Sequence, residues 1–76
     1  MEKHISLHQF YFDAMIRGSY NRERLGQAHM NHLYEVRPDL AVQVFASECD
    51  PITVTELKDP RWKAFIHFIE TNWYKE

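Results

Sequence analysis

Apolar side chains recur along this chain at helical spacing in four stretches, separated by glycine, proline and short polar runs. The first stretch predicts a helix over about 7–17. Ser6 is placed to cap it, with Gln9 three residues later as the partner in a capping box. Leu7, Phe10, Tyr11, Ala14 and Met15 make its apolar stripe, Phe12 and Ile16 widen it, and Gly18 stands where a C′ residue would end it. The second stretch predicts a helix over 22–36. Asn21 is its candidate cap, and Leu25, Ala28, His29, Leu33 (or His32) and Val36 form the inner face. Gly26 inside this helix costs about 1 kcal/mol relative to alanine, a cost that a close backbone crossing would offset. Pro38 ends the helix by disfavouring helical geometry at Arg37.

A third, short helix is predicted over 38–47, opened by Pro38 and carrying Leu40, Ala41, Val44 and Phe45 on one face. Val42 and Val44 also allow a strand there. Residues 48–58 read as a loop with a turn at Asp50-Pro51, pinned to the core by Ile52, Val54 and Leu57; Ile52–Thr55 could form one short extended segment. The clearest helix is the fourth, over 60–74. Asp59 caps it, Pro60 takes its first position, and Trp62, Phe65, Ile66, Ile69 and Trp73 recur on one side, broadened by Phe68. The expected fold is therefore all-α: a small irregular bundle of about four helices in a single domain, 1–76, with the fourth helix lying across the second near Gly26.

Composition supports a packed core. Two Trp, five Phe and four Tyr in 76 residues supply large apolar area, each burying roughly 150–250 Å². They also leave aromatic surface to spare, so a homodimer is one expected arrangement, with Tyr74 extending its surface. Cys49 is the only cysteine, which excludes an internal disulfide. With no apolar run long enough to cross a bilayer and no apolar segment near the start, the chain reads as soluble and cytoplasmic, without a membrane partner. A formal charge of −2 lacks the basic excess of a dedicated nucleic-acid binder.

Candidate chemistry is sparse. His4 and His8 stand at i, i+4 and His29 and His32 at i, i+3, but two histidines make only half a zinc site. His4 and His8 are expected to be exposed and His29 partly buried. Glu48 and Asp50 flank Cys49, and negative charge beside a thiol counts against a nucleophilic role. No phosphate loop or paired carboxylates stand out, so the chain is read as a non-enzyme with no catalytic residue, metal or cofactor. The second helix offers the best surface: Arg24, Gln27, Asn31 and Tyr34 share one polar face, and Arg and Tyr are enriched at interface hot spots. Gln27 and Asn31 have an equally good structural reading, since a mid-helix Asn suggests a specific bond. The alternative is a nucleic-acid contact through Arg17, Arg22 and Arg24, which gather around the first turn beside Glu23.

One likeness adds to this. Gly26-Gln27-Ala28, Asn31-His32-Leu33, Arg37-Pro38-Asp39-Leu40-Ala41, Asp50-Pro51 and Trp73, in that order, resemble a set of short bacteriophage and prophage proteins without a defined activity. The likeness spans about residues 10–73. It implies a phage origin and, by analogy with other small phage proteins, binding to a host protein, for instance to blunt a defence system.

Overall fold

A computed structural model describes residues 5–74 of the chain. It contains α1 (Leu7–Asn21), α2 (Leu25–Val36), α3 (Pro38–Val44) and α4 (Pro60–Asn72), and no strand among the described residues. The all-α expectation is met, and the Val42–Val44 and Ile52–Thr55 segments are not strands.

Several ends are set as expected. Ser6 Oγ accepts the Gln9 N–H at 3.1 Å, and Asp59 accepts the Arg61 N–H at 2.9 Å. The capping box is half formed, because the Gln9 amide turns away to Asp13 at 2.7 Å. Pro38 closes α2 and occupies the first turn of α3.

Other boundaries differ. Gly18 does not terminate α1. The helix continues to Asn21 and ends at Arg22, left-handed at φ 56°, whose N–H returns to the Gly18 carbonyl. Gly18 instead serves close packing, since a Cβ there would stand 3.1 Å from the Ala28 Cβ on α2. Asn21 therefore belongs to α1, and α2 starts at Leu25 with Arg24 in the cap position and no side-chain cap. Helix α3 stops at Val44, three residues early. Ala46 turns left-handed at φ 58°, Ser47 Oγ donates to the Val44 carbonyl, and Asp50 accepts the Ala46 N–H at 2.7 Å.

Gly26 does mark a close approach, but the neighbour is the 51–54 loop and not α4. A Cβ at Gly26 would overlap the Pro51 carbonyl, and the Gly26 N–H donates to the Val54 carbonyl at 3.0 Å. Pro51 and Val54 are buried there, whereas Ile52 and Leu57, expected to pin the loop, face outward.

Helix α2 is central, packed by α1 on one side and α3 on the other. Its buried set (Gly26, Ala28, His29, Met30 and Leu33) is wider than the stripe read from periodicity, which omitted Met30. Phe10, Met30, Leu33, Leu40, Phe65, Ile69 and Trp73 are central members of one core. Phe10 stacks on His32 with centroids 5.6 Å apart and meets Trp73 at 5.0 Å. His29 is fully buried, more than expected, and stands edge-on to Trp62 at 4.7 Å. Phe45, expected to share the inner face of α3, is exposed beyond the helix end.

The two ends of the described chain are fastened together. Trp73 Nε1 donates to the Ile5 carbonyl at 2.9 Å, and Tyr74 Oη accepts the Leu7 N–H at 3.1 Å. The latter satisfies a donor that the first turn of α1 leaves free. The buried Arg37 completes the junction. It forks onto Asp39 at 2.9 and 3.1 Å and donates to the Trp73 carbonyl at 2.7 Å.

Candidate protein-interaction site

Helix α1 is apolar on two sides. Phe10 and Ala14 are buried against α2, with Leu7 and Tyr11 half-buried beside them. At 100° per residue the opposite side carries Phe12, Met15, Ile16 and Tyr20, exposed by 62%, 56%, 41% and 85%. Phe12, Met15 and Ile16 were expected to extend the core stripe, and they do not. Packing from α2 and from Trp73 at the end of α4 covers only the Phe10 and Ala14 side of the helix. The remaining residues of this outer face, His8, Gln9 and Ser19, carry no formal charge except on a protonated His8; Asp13 lies at its edge.

Beside this face, α1 and the start of α2 leave a cleft of about 290 Å³. Ala14, Met15, Gly18 and Ser19 line it from α1, Leu25, Ala28 and His29 from α2, and Glu23 from the turn between them. It is open because three of these residues are Ala or Gly.

The polar face expected on α2 divides. Arg24, Gln27 and Tyr34 are exposed. Asn31 is half-buried and donates from Nδ2 to Glu23 Oε2, so its amide is committed to the fold. Glu23, whose role the sequence reading missed, also takes Arg17 Nε at 3.2 Å, while Arg17 Nη1 pairs with Glu35. These contacts hold the Glu35 carboxyl below the usual range, with the Arg17 hydrogen bond as the largest cause, and raise the Arg17 pKa, with Glu35 as the largest cause. Arg17 is thus neutralised within the α1–α2 joint. Among the described residues, Arg22 and Arg24 take part in no ion pair. The proposed cationic trio is therefore reduced to two free side chains.

His4 lies outside the described residues, and His8 is exposed as expected. His29 Nδ1 lies 2.8 Å from the Leu25 carbonyl; a carbonyl only accepts, so Nδ1 carries the proton. Burial lowers the His29 pKa, keeping the ring neutral. His32 lies between Asp13 and Glu35, at 3.9 and 3.7 Å. No three His, Cys, Asp or Glu gather to hold a metal among the described residues. Cys49 is half-buried, its N–H bonded to Ser47 Oγ at 3.1 Å.

No helix among the described residues is long and apolar enough to cross a membrane. Comparison of the chain with protein-family models, curated proteins and solved structures finds no match in any of the three.

Proposed function

We propose that this chain is a non-enzymatic protein–protein interaction module whose working surface is the outer face of α1. The observation that carries this reading is the exposure of Phe12, Met15, Ile16 and Tyr20 together on one side of a helix whose other side is already buried. Scattered exposed apolar residues need no explanation, but a contiguous stripe of them marks a contact surface. The polar groups of the interior support a structural reading: Arg37 and His29 spend their hydrogen bonds on the chain's own carbonyls and on Asp39.

The test is site-specific photo-cross-linking in bacterial cells, with a photoreactive phenylalanine at position 12 or 16 and a control at the exposed Lys63 of α4. Covalent capture of protein from 12 and 16 but not from 63 is expected. Absence of capture from both α1 positions overturns the reading.

A second surface is favoured by one observation. Arg24, Gln27 and Tyr34 are exposed, and among the described residues their side chains make no hydrogen bond. The phage likeness supplies the corresponding role: a phage-encoded protein gripping a host protein through this edge of α2. Pull-down from bacterial lysate with wild type and a Gln27→Ala/Tyr34→Ala variant tests it; equal recovery of every partner removes the edge from consideration.

A further inference from the structure

The outer side of α1 carries a projection, and the flank between that side and α2 carries a recess. Phe12 projects, 62% exposed. The mouth of the cleft between Ala14, Met15, Gly18 and Ser19 opens little more than one turn further along the same helix, about 7 Å at 1.5 Å per residue. At about 290 Å³ the cleft falls at the lower edge of small-molecule sites, which run roughly 300–1,000 Å³. It suits one aromatic side chain better than a cofactor.

We infer that the occupant is a second copy of this chain, packed α1 against α1 in antiparallel fashion, so that Phe12 of each copy enters the cleft of the other. This rests on the reading of the α1 outer face as the interaction surface and names its partner. A two-fold interface requires that projection and recess lie on one patch, because each residue pair is made twice. Here both lie on one helix, and the axis passes between them near Met15, which meets its own counterpart. Parallel packing would instead set Phe12 against Phe12 and leave both clefts empty.

Charge permits the arrangement. Between His8 and Tyr20 the outer face has only Asp13, at its edge, and Glu23 at the cleft is paired with Arg17, so no like-charged pair is forced together at the centre. Antiparallel packing also sets the helix dipoles head to tail.

Area sets its strength. Side chains of this size bury roughly 150–250 Å² each when fully covered. The four exposed ones therefore offer at most about 500 Å² per copy, under a tenth of the 5406 Å² surface. Two copies bury no more than about 1,000 Å², the lower bound for a specific interface. The dimer is accordingly a weak one that dissociates on dilution.

Sedimentation equilibrium of the full chain, from micromolar to millimolar concentration, reads it directly. Wild type is expected to reach dimer mass at the upper end. Phe12→Lys, which alters an exposed side chain and leaves the core intact, is expected to weaken association at least about tenfold with an unchanged circular-dichroism spectrum. Met15→Cys in a Cys49→Ser background is expected to form a disulfide-linked dimer under mild oxidation, whereas Gln27→Cys in the same background is not. Wild type monomeric at millimolar concentration overturns the inference. So does association that survives Phe12→Lys, or cross-linking from position 27 in preference to 15. Photo-cross-linking from position 12 that captures only a different protein overturns the second copy while leaving the interaction module standing; capture of nothing overturns both.

Discussion

The Arg37 guanidinium lies over the Trp73 ring, its central carbon 5.1 Å from the ring centroid, while the same side chain donates to the Trp73 carbonyl at 2.7 Å. One buried cation thus joins the α2–α3 corner to the end of α4. It satisfies a carbonyl that the helix end would leave unpaired.

Arg37→Ala should therefore cost about 2–3 kcal/mol, from the lost hydrogen bonds and the cation–π contact. The figure stays modest because its partner Asp39 is largely exposed. Arg37→Lys should recover only part, since an ammonium cannot fork onto Asp39 and also reach the carbonyl. Urea unfolding followed by circular dichroism checks both, as lower midpoints at unchanged slope.

The two glycines should respond differently to alanine. At Gly26 the new Cβ would overlap the Pro51 carbonyl, so backbone must move; a loss of about 2–3 kcal/mol is expected. At Gly18 the new methyl would stand 3.1 Å from another methyl, and the tight contact opposes a helix-propensity gain of about 1 kcal/mol. Gly18→Ala should stay within about 1 kcal/mol of wild type. Thermal unfolding of the two variants side by side decides the ordering.

Asn31 and Gln27 separate structure from surface. Asn31→Ala removes a hydrogen bond to the Glu23 carboxylate and should cost about 1–2 kcal/mol. Gln27→Ala, at an exposed position, should change stability by less than about 0.5 kcal/mol. Equal effects in urea titration would remove the distinction drawn between them.

Acid should weaken the fold through His29. Burial lowers its folded pKa, so as pH falls below about 6.5 the unfolded chain takes up a proton that the folded chain resists. Its stabilising contribution is present above that pH and is lost below it, at no more than about 1.4 kcal/mol per pH unit. Urea midpoints at pH 7.5, 6.5 and 5.5 should fall more for wild type than for His29→Leu.

Tyr11 gives the alkaline counterpart. Burial, assisted by the charge of Glu70, raises its phenol to about 12. Its hydroxyl is buried without a hydrogen-bond partner among the described residues. Above pH 10 the unfolded chain ionises first, so stability should fall as pH rises from 10 to 12. Tyr11→Phe should remove that decline and, at neutral pH, leave stability unchanged or raise it by about 1 kcal/mol. Phenolate absorbance with parallel unfolding curves measures both.

Local signals in the chain determined where the helices are. Apolar spacing, Ser6, Pro38, Asp59 and Pro60 act over one or two turns, so α1, α3 and α4 begin at the residue expected and α2 ends at Val36. They also marked Trp62, Phe65, Ile69 and Trp73 as the inner side of α4. Periodicity states that a side is apolar and not what covers it. Phe12, Met15 and Ile16 continue the α1 pattern as well as Phe10 and Ala14 do, and only the placement of α2 decided which set is buried. The same holds for Gly18 and Gly26: a residue without Cβ ends a helix or admits a neighbour, and the choice lay with Ala28 and the Pro51 carbonyl, ten and twenty-five residues away. Arg37 carries no local sign of its role, because its partner Trp73 is separated from it by half the chain. Propensity and capping are properties of neighbouring residues and were fixed by the order of amino acids. Burial, close approach and the pairing of charges are properties of distant segments meeting, and tertiary packing alone settled those.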